Sequence, residues 1–158
     1  MLAIILILLA IDQISKVVVR RWLDPHELIQ LLPFFRLEHV QNRGIAFGML
    51  DTHSNIILLV SFVIVATIAV AAFLVRNNKR LIWPLAFLVA GSVGNFIDRI
   101  VNGSVTDFLH VEYWPAFNFA DSLIVIGVIL LVMRLLLWPD LQQLGEKKGR
   151  EGHENQRA

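Results

Sequence analysis

Six polar residues stand where two strongly apolar stretches of the chain meet: Asn95, Asp98, Arg99, Asp107, Asn118 and Asp121. They are carried by GSVGNFIDRIVNGSVTDF at Gly91 to Phe108 and by FNFADS at Phe117 to Ser122. A carboxylate in apolar surroundings is costly unless a partner or water reaches it. Asp98 with Arg99, and Asp12 with Lys16, can each be a helix-end ion pair. Asp107 and Asp121 have no evident cation of their own. Two carboxylates brought close together cannot both ionise cheaply, so they share one proton and titrate as a unit. Such a dyad activates water with its charged member and protonates a carbonyl oxygen or a leaving amine with the other, as in aspartic proteases. Asp121, in the first turn of a helix, feels the positive end of the helix dipole, which favours its ionised form. Asp107 is then the protonated partner in the resting pair.

The elements that position these residues follow from hydropathy. The chain has 158 residues, 56% of them hydrophobic, against about 45 to 50% in a soluble domain. Its mean hydropathy is +0.66. An integral membrane protein is expected. The net charge of +1 and the lack of a Lys/Arg patch interleaved with aromatics argue against a nucleic-acid partner. The absence of Cys excludes disulfides, thiolate catalysis and Cys-ligated metals. Met1 to Ala10 has no basic region before it and no small-x-small cleavage site after it, so it reads as a retained membrane span and not as a signal peptide.

A spanning helix needs roughly 20 mostly apolar residues. Four candidates fit, at about 1–19, 56–75, 81–97 and 121–138, the last ended by Pro139. They define one four-helix membrane domain over 1–140 with a polar tail at 141–158. The connection over 20–55 is too long for a simple turn. There Phe35, Leu37 and His39 alternate with Arg36, Glu38 and Val40, which predicts a short strand or two at the membrane surface. The other long connection covers 98–120, with His110 in a loop.

Orientation follows from Lys and Arg near the span ends. Arg76, Lys79 and Arg80 crowd the five-residue link between spans two and three, which is therefore placed in the cytoplasm. Both termini then lie in the cytoplasm and 20–55 and 98–120 outside it. At about 1.5 Å per residue, Asn95 lies roughly 21 Å and Asp98 roughly 26 Å beyond Leu81, while Asp12 and Lys16 lie roughly 16 and 22 Å from Met1. All approach the outer edge of a ~30 Å core, where Asp121 begins span four. Asp12 and Lys16 are spaced i, i+4; Asn95, Asp98 and Arg99 are spaced i, i+3, i+4, and Asn118, Asp121 and Ser122 repeat that pattern, so each set is expected on one helix face. Trp22, Trp83, Tyr113, Trp114 and Trp138 sit near span ends, where interfacial belts form. Gly127 is expected to mark a close helix approach.

In this order the residues resemble the lipoprotein signal peptidase (signal peptidase II) family, bacterial membrane aspartic proteases that remove signal peptides from prolipoproteins carrying a diacylglyceryl-modified cysteine. Four blocks carry the resemblance: DQxSK at Asp12 to Lys16, NxGxAFG at Asn42 to Gly48, GNxxDRxxxGxVxDF at Gly94 to Phe108, and FNxADS at Phe117 to Ser122. The resemblance implies Asp107 and Asp121 as the catalytic pair. It implies that Asp12, Lys16, Asn42, Gly44, Asn95, Arg99 and Asn118 line the substrate site, with Lys16, Asn95, Arg99 and Asn118 donating to substrate carbonyls. Asp98 falls on a structural position, pairing with Arg99. The implied fold is an all-α polytopic membrane bundle of four helices with a small extracytoplasmic sheet and a short surface helix. The implied setting is the bacterial inner membrane, with no cofactor or metal, a prolipoprotein substrate, surrounding lipid, a globomycin-type peptide inhibitor, and a monomer supplying the whole dyad.

Rival chemistries fit less well. The five His residues make no HExxH pattern for a metalloprotease. Ser15 and Lys16 are helix neighbours about 100° apart and should not meet as a Ser-Lys dyad. Intramembrane charges also mark ion or proton pathways, but here they gather near one face and span two has none.

Overall fold

Leu2–Trp22 contains neither glycine nor proline and forms helix α1, which stops where Leu23 turns extended (φ −120°, ψ 126°). The computed structural model describes residues 1–43 and 54–136. The next helix, α2 (Ser54–Leu74), is apolar throughout except for Ser54, Asn55, Ser61 and Thr67. The last two return their hydroxyls to the backbone oxygens of Ile57 (2.7 Å) and Val63 (2.8 Å), so neither is left unsatisfied. Helix α3 (Ile82–Asn102) carries Asn95, Asp98 and Arg99 within its last turns and ends at Gly103, whose positive φ of 69° suits glycine. Helix α4 is described from Phe119 to Leu136. Among the described residues these four helices are long and apolar enough to cross a membrane.

Three strands, β1 (Leu28–Leu32), β2 (Phe35–Asn42) and β3 (Val105–Val111), make an antiparallel sheet in the order β1-β2-β3. β2 is the expected strand. β3 was not expected: its segment, and His110 with it, reads as loop in sequence but is a strand, because VTDFLHV finds backbone partners along β2. The register places Val40 opposite Asp107 and Asn42 opposite Val105. A short surface helix is not among the described elements. Gly44 and the rest of the NxGxAFG block lie outside the described residues, as do Trp138, Pro139 and the tail.

The sheet is fastened to the end of α1. Val19, Leu23 and Phe108 form a buried cluster flanked by Leu37, Leu109 and Phe119, and His39 Nδ1 bonds the Leu23 carbonyl at 2.9 Å. A second apolar cluster of Ala72, Leu85 and Leu88 joins α2, α3 and α4, the last through Ile124 and Leu131. In chain position the buried polar residues fall between the two. On α1 the buried side chains are Asp12, Lys16 and Val19, a stripe at i, i+4, i+7, while Ile7, Ile11, Ile14 and Val18 point outward. Trp22, Trp83, Tyr113 and Trp114 are exposed, as interfacial aromatics should be.

Candidate active site

Asn118 precedes α4 and caps it. Its Oδ1 accepts the Asp121 N–H at 3.0 Å, and Asp121 Oδ2 accepts the Asn118 N–H at 3.1 Å. This reciprocal arrangement is a capping box, satisfying two backbone donors that a helix start leaves open. The i, i+3 spacing of Asn118 and Asp121 therefore reports a helix start and not a shared helix face. The same Asn118 reaches across to the sheet, donating from Nδ2 to Asp107 Oδ1 at 2.7 Å. Asn118 thus bonds both carboxylates, that of Asp107 through its side chain and that of Asp121 through its backbone N–H.

Each aspartate has a second amide partner. Asn42 Nδ2, at the end of β2, donates to Asp107 Oδ2 at 2.9 Å. Asn95 Nδ2, from α3, donates to Asp121 Oδ1 at 2.7 Å. Burial of Asp107 on β3, where it is 3% exposed, pushes its carboxyl up from the ordinary 3.8 to about 6. The bonds from Asn42 and Asn118 oppose that rise and the nearby Asp121 charge adds to it. Arg99 is half-buried at the same end of α3, its Nη1 donating to the Asn95 carbonyl at 3.4 Å.

Behind the pair lies a buried ionic network. Lys16 is fully buried, with Nζ at 2.9 Å from Asp12 Oδ2, 2.8 Å from Asn95 Oδ1 and 3.4 Å from Asp98 Oδ2. An ammonium has three protons, and three acceptors meet it here. Lys16 was expected to donate to substrate carbonyls; in this structure its protons are directed inward. Asp12 is equally inaccessible. Its Oδ1 accepts the Ala120 N–H at 2.9 Å, so α1 caps the first turn of α4 from 108 residues away. Gly94 permits this approach, since a Cβ there would collide with the Asp12 carboxylate.

The fully buried Asp98 carboxylate faces α1 and not Arg99. Adjacent helix residues diverge by about 100°, and the Asp98 carboxylate instead meets Lys16 and, at 3.3 Å, Arg20 Nη1. It also accepts the Thr106 N–H at 3.1 Å, while Arg20 donates to Thr106 Oγ1 at 2.7 Å. Asp98 and Arg20 thereby fix the residue immediately before Asp107. Arg20, Thr106 and Gln13, which donates to Asp12 and to the Gly94 carbonyl, are missed by sequence reasoning. Arg20 had a signal: Asp12, Lys16 and Arg20 continue one i, i+4, i+8 row. Gln13 had one as the second residue of the DQxSK block, and Thr106 had none. His110 pairs with Glu38 Oε2 at 3.0 Å on the sheet, and lies an odd number of positions from Asp107, hence on the opposite sheet face. Among the described residues no three His, Asp or Glu side chains gather as a metal site.

Four helices long and apolar enough to cross a membrane, with a small sheet packed at one end of the first, define a polytopic membrane protein. Comparison with known proteins agrees. The family model described as signal peptidase (SPase) II matches residues 4–137. The lipoprotein signal peptidase of Moorella thermoacetica is 42% identical over 139 residues, covering 86% of this chain and 92% of that protein. The lipoprotein signal peptidase of Thermodesulfovibrio yellowstonii is 40% identical over 136 residues, covering 84% and 91%. A bacterial membrane enzyme solved by the in meso method has a TM-score of 0.76 at 30% identity, covering 85% of this chain and 86% of that one. The chain belongs to the signal peptidase II family and is a multi-pass bacterial membrane peptidase.

Proposed function

We propose that this peptidase removes signal peptides from diacylglyceryl-modified prolipoproteins by cleaving the peptide bond before the lipidated cysteine, with Asp107 and Asp121 acting on water. The observation that carries the reading is the double contact of Asn118, which bonds Asp107 and caps the helix turn holding Asp121. Asp121 supplies the carboxylate and Asp107, its carboxyl raised by burial, supplies the proton. Water gives a proton to Asp121 as its oxygen attacks the scissile carbonyl, whose oxygen takes the Asp107 proton to form a gem-diol. On collapse, one hydroxyl returns its proton to Asp107 and Asp121 protonates the departing nitrogen as the C–N bond breaks. The pair ends as it began.

Asn42 and Arg99 are the residues we assign to substrate contact, with Gly44; Asn95 and Asn118 hold the aspartates and meet substrate from there. Asp12, Lys16 and Asp98 support the pair from behind. The site opens near the extracytoplasmic face, both termini are cytoplasmic, a globomycin-type peptide competes for the site, and one copy of the chain within 1–140 suffices.

The test is cleavage of a diacylglyceryl-modified prolipoprotein by purified protein in detergent, with Asp107→Asn and Asp121→Asn variants and a chelator in parallel. Loss of cleavage in both folded variants, with no chelator effect, supports the dyad. Cleavage surviving either substitution overturns it.

A further inference from the structure

β3 is an outer strand of the sheet, and Asp107 stands between two residues whose backbone N–H groups are taken up outside the β2 ladder. The Phe108 N–H reaches the Phe117 carbonyl at 3.0 Å, one residue before Asn118. The Thr106 N–H reaches Asp98 Oδ2 at 3.1 Å, so a side chain of α3 stands where a neighbouring strand would offer a carbonyl. The terminal torsion of an aspartate is broad. Such a partner is only as fixed as whatever holds its carboxylate.

Arg20 holds it. Its Nη1 carries two protons and lies 3.3 Å from Asp98 Oδ1 and 2.7 Å from Thr106 Oγ1. With Asp98 Oδ2 on the Thr106 N–H, the three residues form a closed ring in which each bonds the other two. Thr106 and Asp98 are 2% and 0% exposed, so the ring is shielded from water on their side. One turn of α1 thereby grips β3 on both sides of Asp107. Val19 and Leu23 pack on Phe108, a contact without direction, while Arg20 adds directed bonds at Thr106. Charge gives Arg20 a second use. Lys16 is shared by Asp12 and Asp98, two carboxylates against one ammonium, and Arg20 brings the cation that makes the buried group neutral.

We propose that Arg20 is a positioning residue of the reaction, acting through Asp98 and the Thr106 hydroxyl to fix the place at which β3 presents the Asp107 carboxyl. The assignment rests on the peptidase reading above. Arg20 touches neither aspartate of the pair and no substrate, so its contribution falls on kcat and not on KM.

The experiment measures prolipoprotein cleavage by the full chain in detergent, for the wild type, Thr106→Val, Thr106→Ser, Arg20→Met and the Thr106→Val, Arg20→Met double variant, on protein of matched folded fraction. Thr106→Val keeps the β-branched shape and the N–H on Asp98 and removes only the hydroxyl. It is expected to lower kcat about tenfold, short of the roughly hundredfold that a 1 Å misplacement can cost, with KM unchanged. Thr106→Ser, which restores the hydroxyl, should restore kcat. Arg20→Met should lower kcat at least as far as Thr106→Val, and the double variant no further than Arg20→Met alone, because the ring is broken only once. Wild-type kcat in Thr106→Val, a fall that Thr106→Ser does not repair, a double variant at the product of the two single effects, or a raised KM in place of a lowered kcat each overturns the proposal. Should Arg20→Met not fold, the two Thr106 variants decide alone, since both leave the Arg20–Asp98 ion pair in place. Absence of cleavage by the wild type defeats the peptidase reading itself, whereas a wild type that cleaves beside unaffected variants defeats only the role of Arg20.

Discussion

Asn118 and Asp121 exchange two hydrogen bonds, at 3.0 and 3.1 Å, so the residue proposed as the catalytic carboxylate is also half of a helix cap. Its orientation is set by the backbone and needs little side-chain ordering during the reaction. The amide left over on Asn118 then fixes Asp107.

That double duty is separable by mutation. Serine caps about as well as asparagine but cannot reach Asp107 with a second donor. Asn118→Ser is expected to lower kcat about a hundredfold through misplacement of the pair. Asn118→Ala should lower it similarly and lose a further ~1 kcal/mol of stability with the cap. Equal melting temperatures for the two variants would show that the cap contributes nothing.

The raised Asp107 carboxyl predicts the pH behaviour. As the resting proton donor, it must be protonated, so kcat/KM is expected to fall as pH rises through about 6. Stability runs the same way. The folded state holds this proton up to about 6 and the unfolded chain only to the ordinary 3.8, so the folded state binds more protons in between and loses stability as pH rises through that window. The interval corresponds to about 3 kcal/mol. Asp107→Asn is expected to abolish cleavage while flattening that slope, so that at pH 8 the inactive variant melts higher than the wild type.

Lys16 discriminates support from substrate contact. Lys16→Met leaves Asp12 and Asp98 buried without their shared cation, which costs about 3–5 kcal/mol for a broken buried pair. The expected signature is a large drop in melting temperature, with KM of the surviving folded enzyme near that of the wild type. A raised KM with unchanged melting temperature would return Lys16 to the substrate surface.

Much of this was legible in the sequence, for identifiable reasons. Uninterrupted apolar runs announce the helices, and carboxylates that apolar sequence must tolerate announce the polar cluster. The sequence did not show what those charges face. Lys16 and Asp98 are 82 positions apart, and only the packing of α1 on α3 makes them partners. β3 was hidden because seven residues with Asp107 and His110 among them look like polar loop until β2 lies alongside. The N-x-x-D signature of the capping box was visible in Asn118 to Asp121, but equal spacing is also what a helix face gives.

Small residues where α3 meets α4 give a last test, because two of them should fail differently. At Gly127 an added Cβ would sit 2.8 Å from Leu88 Cγ and 3.0 Å from the Pro84 carbonyl, in the apolar part of the contact. Gly127→Ala should therefore cost about 1–3 kcal/mol by overpacking and leave kcat of the folded enzyme nearly unchanged. At Gly94 the added Cβ meets the Asp12 carboxylate, which accepts the Ala120 N–H one residue before Asp121. Gly94→Ala must push Asp12 off α4 and with it disturb the turn that carries Asp121. The expected outcome is a comparable loss of stability together with a large fall in kcat. Equal kcat in the two variants, measured on protein of matched folded fraction, would mean that the hold of Asp12 on α4 does not position the catalytic carboxylate.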